Sequence, residues 1–164
     1  MKVRELTAED TEGIRQMSRM ATDIVREYYD PLIGKEQNDY MLARFQSEAA
    51  IAKQLAEGYR YFFALDGDRQ VGFFAIYPRG SAMYLSKFYL YRQERRRGYG
   101  RQIIGFIAVE ARKQGLTAIE LNVNKRNESR FAYERMGFEI LRPEKIDIGG
   151  GFFMDDYVYR LELE

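Results

Sequence analysis

The spacing of apolar residues divides the chain into helical and extended stretches. Ile14, Met17, Ala21, Ile24, Val25 and Tyr28 recur at the three-to-four interval of one helix face. Thr7, with Asp10 three residues on, has the form of a capping box, so a helix is expected from there to YYDPLIG, where Pro31 and Gly34 break it. A second helical region covers roughly QNDYMLARFQSEAAIAKQLAEG; Ser47 is placed to cap its second half and Gly58 to end it. After RRRGYG, residues Ile103, Ile104, Ile107, Ala108 and Ala111 form a third helical face that closes at Gly115. ESRFAYERM is a short helix ended by Gly137.

The remaining apolar stretches have the character of strands: KVREL, YRYFFAL, VGFFAIY, AMYLSKFYLY, AIELNVN, FEILRPEKIDI and FFMDDYVYRLEL. DGDRQ is a hairpin signal between the second and third, and GGG separates the last two. In AMYLSKFYLY the apolar phase moves from Met83 and Leu85 to Phe88 and Leu90, which predicts a bulge near Ser86 and Lys87. The order β-α-α-β-β-β-α-β-α-β-β predicts an α/β (α+β) mixed sheet of about seven strands with about four helices, as a single domain over residues 1–164. Residues 82–124 should form a right-handed parallel crossover.

Composition narrows the chemistry. The chain has 164 residues, 46% of them hydrophobic and 15% aromatic, which argues against disorder. The net charge of +1 gives no reason to expect nucleic acid or a membrane as partner. Cysteine and histidine are both absent, so thiolate nucleophiles, imidazole bases, Ser-His-Asp triads and most transition-metal sites are excluded. No metal site is expected. No signal-peptide pattern or long apolar run stands out, and a cytoplasmic location is the default expectation.

RRRGYGRQIIGF at residues 95–106 carries the sharpest question. A helix start following a strand offers free N–H groups and a partial positive charge, and glycine lets a phosphate approach the backbone. Arg95, Arg96, Arg97 and Arg101 add charge that can pair with phosphate. Neither a Walker loop nor a dinucleotide fingerprint is present. On this pattern alone, a pyrophosphate cradle and a basic helix cap with tightly packed glycines weigh equally.

About thirty residues on stands NVNKRNESRFAYERMGFEI: a strand, an asparagine loop, a short helix bearing Tyr133, and Gly137-Phe138 leading into a strand. The two motifs together resemble those of the GNAT superfamily of acyl-CoA-dependent N-acetyltransferases. Arg95, Gly98 and Gly100 meet its R/Q-x-x-G-x-G/A signature. Asn127, Tyr133, Glu134, Gly137 and Phe138 meet its N-(x)-Y-E-x-x-G-F signature, with six positions from Asn127 to Tyr133 where the family more often has seven. The order of elements matches over nearly the whole chain.

The resemblance implies the GNAT-like fold, with a mostly antiparallel sheet, and acetyl-CoA as co-substrate. It implies that Phe88, Tyr89 and Leu90 bond the pantetheine amides as an added strand. Arg96, Arg97, Gly98, Tyr99, Gly100 and Arg101 would hold the pyrophosphate, with Arg95 nearby, and Asn127 would bond the pantetheine arm. Tyr133 would protonate the leaving thiolate. A phenol near pKa ~10 and a thiol near ~8.5 make that transfer uphill by only roughly 2 kcal/mol. The reaction would be direct attack by a neutral amine, and the group that deprotonates the amine stays open among Glu27, Glu120, Asp155, Asp156 and water. The acceptor, a small-molecule or peptide amine, would lie against REYYDPLIGKEQNDY and GGGFFMDDYV, whose carboxylates and aromatics suit a cation. A non-catalytic acyl-CoA-binding module is the alternative; a phosphate-binding role on nucleic acid is a weaker one. A homodimer is common in the family.

Overall fold

The computed structural model describes residues 1–164. Seven strands form one sheet in the order β1-β2-β3-β4-β5-β7-β6. They are β1 Lys2–Glu5, β2 Arg60–Asp66, β3 Arg69–Arg79, β4 Ala82–Leu90, β5 Ala118–Asn124, β6 Glu139–Gly149 and β7 Phe152–Glu162. The helices are α1 Thr11–Ile33, α2 Lys35–Phe45, α3 Glu48–Ala56, α4 Tyr99–Lys113 and α5 Ser129–Arg135. The fold class is as expected, with five helices rather than about four. No helix is long and apolar enough to cross a membrane.

Contacts divide the chain into two compact units: residues 1–77 with 87–100, and residues 78–86 with 101–164. In the first, β1, β2 and β3 pair antiparallel. The apolar stripe of α1 (Ile14, Met17, Met20, Ala21, Ile24) is buried in one cluster with Tyr61 and Phe63 of β2 and Phe73 and Ala75 of β3. Alternation places Phe62 and Phe74 on the other face, where their rings stack with centroids 4.9 Å apart.

Two helix boundaries differ from expectation. Helix α1 starts at Thr11 because Asp10, not Thr7, is its cap: the Asp10 carboxylate accepts the Gly13 N–H at 2.9 Å. Pro31 does not end the helix. It stands in the last turn, where only the bond to the Glu27 carbonyl is lost, and the helix continues to Ile33 before Gly34 turns left-handed at φ 88°. Ser47 caps α3 as expected, accepting from the Ala50 N–H at 3.1 Å.

In the second unit, β4 pairs with β5 in parallel from Ala82↔Ala118 to Leu85↔Leu121, which confirms the crossover's parallel sense. Strand β7 lies antiparallel between β5 and β6. Ile119, Leu121 and Val123 are buried on one face of β5; the register puts Glu120, Asn122 and Asn124 on the other face, level with Arg160, Val158 and Asp156 of β7.

The parity change in β4 has a particular cause. The buried phase runs Met83, Leu85, Lys87, so the strand keeps its alternation through position 87 and turns a lysine inward. Within the first unit, Lys87 donates to the Phe45 carbonyl at the end of α2, to Gln54 of α3 and to the Tyr61 hydroxyl, with no carboxylate among these partners. Burial lowers its pKa to about 7 from the ordinary 10.5. The unfolded chain keeps this proton up to the ordinary value, so unfolding takes up a proton between those limits and stability rises with pH there. Denaturant titrations from pH 7 to 9 should show wild type gaining on Lys87→Met by up to about 1.4 kcal/mol per unit.

Candidate functional site

The arginine- and glycine-rich motif begins in the first unit. A 3-10 turn at Arg92–Glu94 leads into a loop with two left-handed residues, Arg96 at φ 64° and Gly98 at φ 84°, immediately before α4. Arg96 is the only non-glycine residue in the chain with positive φ. That conformation costs an L-residue about 1–2 kcal/mol and persists only where the surroundings enforce it.

Glu94 closes the 3-10 turn two residues before Arg96. It is buried and accepts a two-pronged bond from Arg69 at 3.1 Å for each oxygen, with Arg97 also 3.8 Å away. The Tyr99 side chain does not face outward; it is buried, and its hydroxyl donates to Asp66. The loop is thus pinned on both sides to the β2–β3 hairpin turn. Arg96, Arg97, Gly98 and Arg101 are exposed, and Gly100 is half-buried with room for ordinary contact to Phe88. The first N–H groups of α4 have no carbonyl within the helix to bond. A curled loop, exposed arginines and a helix start together form a place for an anion.

Arg95 is engaged differently. Its guanidinium lies 4.7 Å from the centroid of the Tyr28 ring and donates to the Leu90 carbonyl at 3.4 Å. Tyr29 meets Tyr89 edge-on at 6.2 Å, and Tyr89 also contacts Phe73 at 5.3 Å. Two adjacent tyrosines at the end of α1 therefore brace Arg95 and the end of β4. Gly72 on β3 allows that end to sit where it does: a Cβ there would come within 2.2 Å of the Tyr89 carbonyl oxygen.

The second unit holds the other motif. Asn127 is 4% exposed, and its side-chain oxygen accepts the Ser129 N–H at 2.8 Å, an Asx turn that leads into α5. Tyr133 is half-buried on α5, its ring centroid 5.7 Å from Phe138 and 6.4 Å from Tyr159. Glu134 accepts from the Tyr159 hydroxyl at 2.7 Å, which ties α5 to β7. A groove of about 360 Å³ is lined by Arg101, Gly105, Ala108 and Arg112 of α4 together with Met136 and Leu161.

The four carboxylates considered as proton acceptors have different surroundings. Glu27 pairs with Arg92 at 3.4 Å. Glu120 is bonded by Arg160 and lies 3.7 Å from Arg79. Asp155 pairs with Lys125 at 3.1 Å. Asp156 is 3% exposed, forms no ion pair, and accepts from the Asn122 amide at 3.4 Å. Burial raises its pKa to about 6, and the carboxylates of Glu144 and Asp155 push the same way, while Asn122 and Lys125 oppose. Lys87, Glu94 and Asn122 were not singled out by motif. Lys87 shows as a lysine in the inward phase of a strand; the other two depend on partners distant in sequence.

Residues 29–153 match the family model described as an acetyltransferase (GNAT) domain. The chain belongs to the GNAT acetyltransferase family; it is an enzyme, an acetyl-CoA-dependent acetyltransferase. Solved structures share the fold. The PaiA N-acetyltransferase of Thermoplasma acidophilum, in complex with coenzyme A, is 16% identical with TM-score 0.74 over 99% of each chain. A GCN5-related N-acetyltransferase from Rhodopseudomonas palustris is 15% identical with TM-score 0.80 over 99% of this chain and 95% of its own. An aminoglycoside 6'-acetyltransferase type Ii is 17% identical with TM-score 0.62 over 99% of this chain and 97% of its own. No curated protein sequence matches the chain.

Proposed function

We propose that the protein moves the acetyl group of acetyl-CoA to a primary amine by direct attack on the thioester. The observation that carries this reading is the loop of Arg95–Gly100, curled by left-handed Arg96 and Gly98 against buried Glu94 at the start of a fifteen-residue helix. The pyrophosphate lies on the N–H groups of Arg96, Arg97, Gly98, Tyr99, Gly100 and Arg101. The side chains of Arg96, Arg97 and Arg101 pair with it, and Arg95 contributes from its brace on Tyr28. The backbone of Phe88, Tyr89 and Leu90 bonds the pantetheine amides, and Asn127 bonds the same arm. Tyr133 gives its phenolic proton to the departing sulfur; a hydrogen bond that strengthens as charge develops there lowers the barrier. The coenzyme A bound by the Thermoplasma acidophilum protein and the aminoglycoside acceptor of another structural neighbour support this pairing of thioester and amine.

The test is thermal. At 100 times its dissociation constant acetyl-CoA adds about 2.7 kcal/mol, a rise of roughly 5–10 °C for a chain of this size. Gly98→Glu should fold, since a Cβ at 98 meets no atom within 4 Å, at the cost of its positive φ. Its carboxylate opposes the phosphates, so it should show no rise. A rise of equal size in Gly98→Glu would remove the cradle from the reading, and no rise in wild type would overturn the proposed coenzyme site as a whole.

A further inference from the structure

Before an amine attacks a thioester it must lose a proton, because the ammonium has no lone pair. The chain has no histidine to take that proton, and three of the four carboxylates weighed above are already paired with cations: Glu27 with Arg92, Glu120 with Arg160 and Arg79, Asp155 with Lys125. A carboxylate held by a guanidinium or an ammonium gains little by accepting a proton. Asp156 alone lacks such a partner.

Its setting is built across four strands. The Tyr84 hydroxyl of β4 donates to the Asn122 side-chain oxygen at 2.7 Å. This leaves the Asn122 amide to donate to Asp156 of β7 at 3.4 Å and to Glu144 of β6 at 3.1 Å. Tyr84 is itself stacked under Arg79, 3.7 Å from the ring centroid. Glu144 directly faces Asp156 in the β6–β7 register, and Asn124 faces it from β5. The charged groups around Asp156 are therefore Glu144, which also pairs with Arg142 at 3.2 Å, its neighbour Asp155, and Lys125 after β5. Asp156 is buried, whereas Tyr84, Asn122 and Glu144 beside it are half-exposed, so this polar sheet face is open next to it.

We propose that Asp156, oriented by Asn122 and Tyr84, takes the proton from the acceptor's ammonium, directly or through one water. This rests on the acetyl-transfer reading above. One proton of the ammonium passes to the Asp156 carboxylate and on to solvent. The freed nitrogen lone pair attacks the thioester carbonyl, a C–N bond forms and the C–S bond breaks. The sulfur takes the Tyr133 proton, and the phenolate recovers a proton from the new amide nitrogen. The sum is ammonium plus thioester giving amide, free thiol and one proton.

Asp156→Asn tests this, because the amide oxygen can still accept from Asn122 while basicity is gone. The assay is free-thiol release from acetyl-CoA with spermidine, kanamycin and a short peptide with a free N-terminus, read as kcat/KM from pH 5 to 8.5. Wild type should show an acid limb of unit slope below about pH 6. Asp156→Asn should lose about 10²-fold or more at pH 7.5. Its melting temperature should match or exceed that of wild type, because a buried carboxylate without a cation has been removed. Glu144→Gln should keep activity and move the limb to lower pH, since one neighbouring negative charge is gone; a purely structural carboxylate would not give that shift. Activity within twofold of wild type in Asp156→Asn overturns the proposal. If Asp156→Asn melts early, the limb in Glu144→Gln decides: unmoved, it overturns the proposal; shifted down, it supports it. If wild type turns over none of the amines, the proposed transfer to a primary amine fails and the proposal goes with it.

Discussion

Tyr133→Phe will lower the rate of acetyl transfer by about 10²- to 10⁴-fold, the usual worth of a positioned general acid. Acetyl-CoA binding will stay near wild type. The variant keeps the ring, so its contacts with Phe138 and Tyr159 survive and the melting temperature should move little. The loss should fall on kcat, because the phenolic proton matters only as the sulfur leaves. Stopped-flow or steady-state thiol release, paired with calorimetry of acetyl-CoA binding, checks this. A rate within threefold of wild type would return Tyr133 to a packing role. Equal losses in binding and rate would make it part of the pantetheine site instead.

Gly72→Ala will be costly on both counts. The added methyl would stand 2.2 Å from the Tyr89 carbonyl oxygen, 2.8 Å from Leu90 Cδ2 and 3.0 Å from Leu90 Cα. Two of these are backbone atoms, so the end of β4 must move away from β3. Forced overpacking of this kind costs about 1–3 kcal/mol, and sometimes more. The displaced segment is the one proposed to bond pantetheine, so affinity for coenzyme A should fall at least tenfold. Adenosine 3',5'-bisphosphate, which lacks the pantetheine arm, should bind as it does to wild type. Equal weakening of both ligands would mean that the whole fold has loosened, and unchanged coenzyme A affinity would clear β4 of the role.

Much of this was legible in the chain, for identifiable reasons. Strand β5 was clear because Ile119, Leu121 and Val123 alternate with polar residues, and α4 because its isoleucines recur at helical spacing. Short-range signals were weaker. Thr7 and Asp10 both look like caps, and only the Asp10 bond to Gly13 decides between them. Pro31 reads as a stop because its position relative to the last turn is not visible locally. In β4 the lysine at an inward position looked like a shift of phase; its polar partners Phe45, Gln54 and Tyr61 lie 26–42 residues away. The candidate proton acceptors could not be ranked for the same reason. Arg160 lies 40 residues from Glu120, and Asn122 lies 34 from Asp156. Periodicity reports which face a side chain takes and is silent on which distant charge it meets.

The paired tyrosines at the end of α1 have an evolutionary consequence. Tyr28 grips Arg95 and Tyr29 abuts Tyr89, so a change of sequence there disturbs the loop before α4 and the end of β4 together. Replacing either ring therefore perturbs two elements at once. The GGG tip between β6 and β7, where three consecutive glycines hold positive φ, carries no such double duty. Insertions should be tolerated at that tip more readily than changes at Tyr28 or Tyr29, whereas a side chain placed on any of its three glycines must bear the cost of a positive φ.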